Sequence, residues 1–199
     1  MASALDSRDG NSEKHLKPTV HTAVKILVVG HFGVGKTTFV GSVSEIEPLR
    51  TEELITASST GIDDLSGTPE KATTTVALDF GRLTLSESLV LYLFGTPGQQ
   101  RFHQLWEDLS IGALGALVLV DPTRLTDSFP VLDSVEQYAL PCAVGVNSFD
   151  GTPTYATDEV REALNLPGDV PVVPCDVRDQ KSAGEALISL VEYLQNNTV

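Results

Sequence analysis

The most constraining feature is an eight-residue run, Gly30-His31-Phe32-Gly33-Val34-Gly35-Lys36-Thr37, which satisfies the pattern GxxxxGK[ST] in full. The apolar run KILVV at 25–29 predicts a strand before it, and the residues from Lys36 to about Val43 predict a helix after it. Strand, glycine-rich turn and helix in that order wrap backbone N–H groups around a concave space, and the helix adds the positive end of its dipole. Such a cradle suits a phosphate. Gly33, Val34 and Gly35 turn the chain about it, Lys36 reaches toward β- and γ-phosphates, and Thr37 offers a hydroxyl to Mg²⁺, with Thr38 beside it on the first helical turn. The competing reading is a glycine-rich turn with no ligand, against which the flanking strand and helix weigh.

A chain of 199 residues accommodates one domain with an appendage. Residues 1–22 are polar and carry three acids and three bases, the composition of a disordered tail, and the folded domain is expected over 23–199. Strands are predicted at 25–29, 74–85, 89–94, 116–120, 142–146 and 170–173. Only Ser86, Glu87 and Ser88 separate the second from the third, too few for a crossover helix, so these two pair as an antiparallel hairpin at one edge. Helices from Lys36 to about Val43, Gln99 to about Leu109, Val131 to about Tyr138, Asp158 to about Leu164 and Gly184 to Gln195 fill the gaps. The expected fold is α/β, a P-loop NTPase with a six-stranded, mostly parallel sheet, one antiparallel edge hairpin and helices on both faces. Leu187, Leu190, Val191 and Leu194 form a helical stripe expected to pack in the core. Residues 45–72 follow neither period, and a loop of that length is expected to be functional or mobile.

Thirteen Lys and Arg against 27 Asp and Glu give a net charge of -14, a field that repels nucleic acid and anionic lipid headgroups. Neither class of partner is expected. Cys142 and Cys175 make no disulfide framework and have no His or Cys at zinc-ligand spacing, which fits a reducing cytosol. The longest apolar stretch, Ile111–Val120, is far short of a bilayer span, so a cytoplasmic location is expected and membrane association would need a partner.

Two further segments fall where strands end. In Gly95-Thr96-Pro97-Gly98-Gln99-Gln100 the N–H of Gly98 suits a γ-phosphate, and Gln99 suits the orientation of an attacking water; these are also ordinary turn residues. In Asn147-Ser148-Phe149-Asp150 the Asp150 carboxylate matches the N1 and N2 donors of guanine, a donor pair that adenine lacks. Asn and Asp after a strand are equally ordinary turn or capping residues. The order of the three segments favours the nucleotide reading.

On the runs FGVGKTTFVGSVSEIEPLRTEE, VLYLFGTPGQQRF and VNSFDG, residues 24–195 resemble the Ras-like small GTPases. Within them the chain is most similar to the GTP-binding proteins of actinobacterial conservon operons, and more distantly to the bacterial gliding-motility polarity GTPases. The resemblance implies a six-stranded sheet wrapped by five helices, cycling between GTP and GDP forms with slow hydrolysis. It implies a third base-contacting segment at Cys175-Asp176-Val177, through a backbone N–H to the guanine O6. It also implies a signalling complex with a membrane sensor-kinase-like protein and a small roadblock-type protein.

The departures from that pattern bear on mechanism. Gly95 stands where these GTPases generally have the Asp that helps hold Mg²⁺, and Asp79, on the antiparallel neighbour strand, could supply the carboxylate or could be a surface strand residue. Phe32 stands where most have Gly, which would slow hydrolysis, and Ser148 replaces the Lys that packs on guanine. The Mg²⁺-binding Thr of the first switch falls among Thr73, Thr74 and Thr75, with Thr75 carried forward as the metal candidate; three threonines are also simply good strand formers. Arg101 could donate to transition-state charge or cap a surface helix. Two other functions fit the same segments: a scaffold that holds nucleotide without useful turnover, and an ATP-dependent phosphotransferase.

Overall fold

The computed structural model describes residues 20–56, 73–97 and 103–197. In β1 (Thr22–Val29) successive side chains point to opposite faces of a sheet, and both faces are covered. Ile26 and Val28 enter one core with Phe39, Val40 and Val43 of α1 (Lys36–Val43) and Ala183, Leu187 and Leu190 of α5 (Gln180–Asn197). Leu27 and Val29 enter the other, with Trp106 and Leu109 of α2 (His103–Ser110), Val135 of α3 (Phe129–Gln137) and Val160 of α4 (Thr157–Ala163). Burial on both faces explains why these strands read as continuous apolar runs rather than alternating ones. The expected stripe on α5 packs as anticipated, with Leu187, Leu190 and Leu194 buried and Val191 partly so.

The remaining strands are β2 (Leu49–Thr56), β3 (Thr73–Thr84), β4 (Leu89–Gly95), β5 (Ala113–Val120), β6 (Cys142–Asn147) and β7 (Val172–Cys175). They form one sheet in the order β2-β3-β4-β1-β5-β6-β7. All six expected strands are present, and β3 runs antiparallel to β4 as the short Ser86–Ser88 connection requires. A seventh strand, β2, pairs antiparallel outside β3, so the reversed strand is second from the edge. It arises within a segment read as loop, where Arg50, Glu52 and Glu53 interrupt the apolar pattern; charged residues are what an edge strand carries. β1 begins at Thr22, the last residue of the expected tail, where the N–H groups of His21 and Thr22 donate to the Ser88 carbonyl.

β1 lies between β4 and β5 and is parallel to both. The chain therefore leaves the carboxyl end of β1 at a switch point in strand order, the place where open α/β sheets form a ligand crevice. Past α1, Glu45 ties the end of the helix to β3. Its N–H donates to the Arg82 carbonyl at 2.8 Å, and its carboxylate accepts from Arg82 Nε at 2.7 Å and Thr84 Oγ1 at 2.8 Å. Among the described residues no helix is long and apolar enough to cross a membrane.

Candidate functional site

The turn from β1 into α1 follows the expected path. Gly35 caps α1 with φ of 104°, a left-handed conformation that side chains resist, and a Cβ there would stand 2.9 Å from Val177 Cγ2 and 3.2 Å from Asn147 Nδ2. Gly33 is also left-handed. No side chain caps α1 and its first turn holds no acid, so the N-terminal dipole is left for an external anion. Lys36 is 9% exposed and donates from Nζ to the Gly30 and His31 carbonyls, each at 2.8 Å. Burial pushes its ammonium down to about 8, against a smaller opposing pull from Asp79. Thr37 and Thr38 are exposed on the first turn, whereas Val34 is fully buried in the core.

Thr37 Oγ1 donates to Asp79 Oδ2 at 2.5 Å, so two hard oxygen donors meet at the helix start. Asp79 pairs in register with Gly95, and the register runs on unbroken through Gly81, with no bulge to turn Asp79 away. Paired residues share a face of the sheet. A Cβ on Gly95 would lie 3.1 Å from Asp79 Cβ and 3.3 Å from its Oδ2, so the missing side chain at 95 is what makes room for the carboxylate from 79. The donor set fits Mg²⁺, which needs only one or two protein oxygens beside phosphate and water. Among the described residues no group of three or more His, Cys, Asp or Glu could hold a metal ion by itself.

Asn147 is buried and spans two loops: Nδ2 donates to the Val34 carbonyl at 2.9 Å, and Oδ1 accepts from the Val177 N–H at 3.3 Å. It thus stitches the phosphate loop to the segment after β7. Asp150 lies on the same side and is held by Arg178, with Nη1 on Oδ2 at 2.9 Å and Nη2 on Oδ1 at 3.1 Å. The same guanidinium grips Asp176 through Nε on Oδ1 at 2.9 Å and Nη2 on Oδ2 at 2.8 Å. Hydrogen bonds from Arg178 hold both carboxyls below their usual range, Asp176 at about 2. Among the described residues, three buried side-chain atoms have no hydrogen-bond partner: His31 Nε2 on the phosphate loop, Thr96 Oγ1 just past β4, and Ser128 Oγ before α3.

The profile of the family described as "Conserved hypothetical ATP binding protein" matches residues 28–197, which contain every element named above from the end of β1 onward. The chain belongs to this family. Another similar protein, the uncharacterized protein MJ1339 of Methanocaldococcus jannaschii, is 30% identical over 129 residues, 64% of this chain and 71% of that one. Among solved structures, the G domain of the T. maritima FeoB iron transporter matches with a TM-score of 0.62 at 16% identity, covering 86% of this chain and 99% of that one. The FeoB G-domain from Methanococcus jannaschii gives 0.59 at 13% identity, with coverage of 87% and 99%. The cytosolic domain of T. maritima FeoB in a GDP form gives 0.60 at 16% identity, with coverage of 89% and 66%. At such identities the likeness is one of fold, that of a small-GTPase-type G domain. This member of the ATP-binding-protein family therefore carries a P-loop nucleotide-binding architecture.

The structure brings Gly33, Val34, Gly35, Lys36, Thr37, Asp79 and Asn147 together around the turn from β1 into α1. In the third segment, Cys175 is buried in the core, its thiol pushed up to about 12 by burial, so it can offer backbone only. The Asp176 N–H donates to Ser182 Oγ at 2.9 Å and the Val177 N–H to Asn147, so both candidate donors to a base oxygen already have partners. Thr73, Thr74 and Thr75 are residues of β3 paired with Thr56, Ile55 and Leu54. Gly98, Gln99, Gln100 and Arg101 lie outside the described residues. Sequence reasoning missed Arg178. Its signal was faint: a cation three residues past a strand, close to an Asp.

Proposed function

We propose that this chain is a guanine-nucleotide switch that binds GTP and GDP with Mg²⁺ and hydrolyses GTP slowly. The observation that carries the reading is the Asn147 bridge, which sets the loop of Asp150 beside the phosphate loop, so that one nucleotide could span both. In the proposed cycle Lys36 exchanges its two carbonyl partners for β- and γ-phosphate oxygens. Thr37 and Asp79 would hold Mg²⁺, with Thr75 as a further candidate ligand, and the chemistry such an ion would supply is charge neutralisation on the phosphates. The Gly98 N–H meets the γ-phosphate and Gln99 orients the attacking water. Contacts to the γ-phosphate would order the segments around Thr73–Thr75 and Gly95–Arg101, and hydrolysis would release them. Phe32 is 71% exposed on the phosphate loop, and a bulky ring there supports the reading of slow turnover by crowding the approach of a water or an arginine.

The decisive experiment is to identify the nucleotide retained by the purified protein and to compete GDP against ADP, followed by single-turnover hydrolysis with and without Mg²⁺. A second reading, an adenine-nucleotide protein, is favoured by the description of the family and predicts ADP as the better competitor. Binding without turnover would identify a scaffold. By resemblance to the conservon proteins, the partners proposed are a roadblock-type protein and a membrane sensor-kinase-like protein that recruits this chain from the cytoplasm. Pull-downs with GTP-loaded and GDP-loaded protein test this, since a switch must discriminate between the two.

A further inference from the structure

The guanidinium of Arg178 and the N1–C2–N2 edge of guanine are the same chemical fragment: two N–H donors side by side on a planar carbon. Arg178 presents that edge end-on to Asp150, one nitrogen to each carboxylate oxygen, at 2.9 and 3.1 Å. A carboxylate accepts one such in-plane fork at a time. Arg178 also has a second berth, because its other edge is forked onto Asp176 at 2.9 and 2.8 Å, and that grip does not depend on Asp150.

We infer that Arg178 is an internal competitor for the base: it is forked onto the recognition carboxylate of Asp150 and must withdraw onto Asp176 before a guanine can bind. This rests on the guanine reading above and adds a control to it. The fork acts as a latch, so the apparent affinity equals the intrinsic one reduced by the fraction of molecules in which Asp150 is free. Arg178 and Asp150 are both solvent-exposed, which keeps the latch weak enough for a nucleotide to open it. Adenine nucleotides make no use of Asp150 and gain nothing from its release.

The test uses the full chain stripped of nucleotide, with equilibrium and stopped-flow binding of GDP and ADP to the unmodified protein, Arg178→Ala, Asp150→Ala and the double variant. Arg178→Ala should tighten GDP binding by about three- to tenfold, mainly through a faster association rate, and leave ADP unchanged. In the Asp150→Ala background the Arg178→Ala change should have no effect on GDP. Weaker GDP binding by Arg178→Ala would overturn the inference and make Arg178 a support for the base; unchanged binding would make it a bystander and overturn it equally. If the unmodified protein binds ADP as tightly as GDP, the guanine reading itself falls. If GDP is preferred and only the gain on Arg178→Ala is missing, the latch alone falls. Thermal unfolding of Arg178→Ala should match the unmodified protein, because the side chain is exposed.

Discussion

Between pH 7 and pH 9, nucleotide binding by this chain should begin to take up a proton, and Lys36 is the reason. Burial lowers its ammonium from 10.5 to about 8, which is about 3 kcal/mol between the two protonation states. When no nucleotide is added, between about pH 8 and 10.5 the unfolded chain binds more protons at this position than the folded one, so stability rises with pH across that window. Below about pH 8 the charge is present in both states and the folded protein bears the full penalty. A bound phosphate reverses the balance by supplying the anion that the buried ammonium lacks. Binding at pH 7 should therefore take up about 0.1 proton through Lys36, and at pH 9 about 0.9. The apparent affinity should stay level below about pH 8 and then fall by up to about tenfold per unit.

The assay is calorimetric titration with GDP in pairs of buffers that differ in ionisation enthalpy, at pH 7 and pH 9. Terminal phosphate ionisation is complete before pH 9, so it adds no uptake there. Lys36→Met removes the titrating group while keeping the apolar stem, and should abolish both the proton uptake and the decline in affinity, at the cost of a much weaker complex. Uptake at pH 9 that persists in Lys36→Met, or that is absent from the unmodified protein, would refute the assignment of Lys36 to the phosphate.

Asp79→Ala should raise the Mg²⁺ concentration needed for nucleotide binding while leaving the protein folded, as read by an Mg²⁺ titration. Gly95→Asp alone should weaken Mg²⁺ binding, because its Cβ would press to 3.1 Å on Asp79 and set two carboxylates together; the Asp79→Ala, Gly95→Asp double variant should recover what either change loses. Gln99→Leu should slow single-turnover GTP hydrolysis and leave GTP affinity intact, and unchanged turnover would move the role to Gln100 or Arg101. Asp150→Asn should weaken GDP and strengthen xanthine nucleotide binding in a direct competition.

Where a residue pattern has one physical cause, sequence and structure coincide. Helix α1 starts at Lys36 as anticipated because the phosphate loop fixes where the chain can begin to coil. Helix α5 starts at Gln180, four residues before Gly184, because Asp179 caps it: its Oδ1 accepts from the Ser182 N–H at 2.7 Å. That capping signal was present in Asp179-Gln180-Lys181-Ser182 but was outweighed by the clearer apolar stripe downstream. Strand β2 was illegible for the opposite reason. Among the described residues it is paired on one side only, so few of its residues need be apolar, and its partners lie between Thr73, which faces Thr56, and Phe80, which faces Leu49, across a long connection.

The same distinction runs through the site. The phosphate loop was legible because one short segment supplies turn, dipole and cation together. Asp79 was legible only as an alternative, since its placement depends on register: a one-residue slip between β3 and β4 would have sent it to the opposite face, among Leu78 and Phe94. With Asp79 opposite Gly95, the two positions form a single volume that one carboxylate can fill from either strand. A small residue at 95 thus reads as a loss in sequence and as an accommodation in space. The paired substitution at 79 and 95 tests this directly, because transfer of a carboxylate between adjacent strands predicts recovery in the double variant, whereas two unrelated roles predict that the defects add.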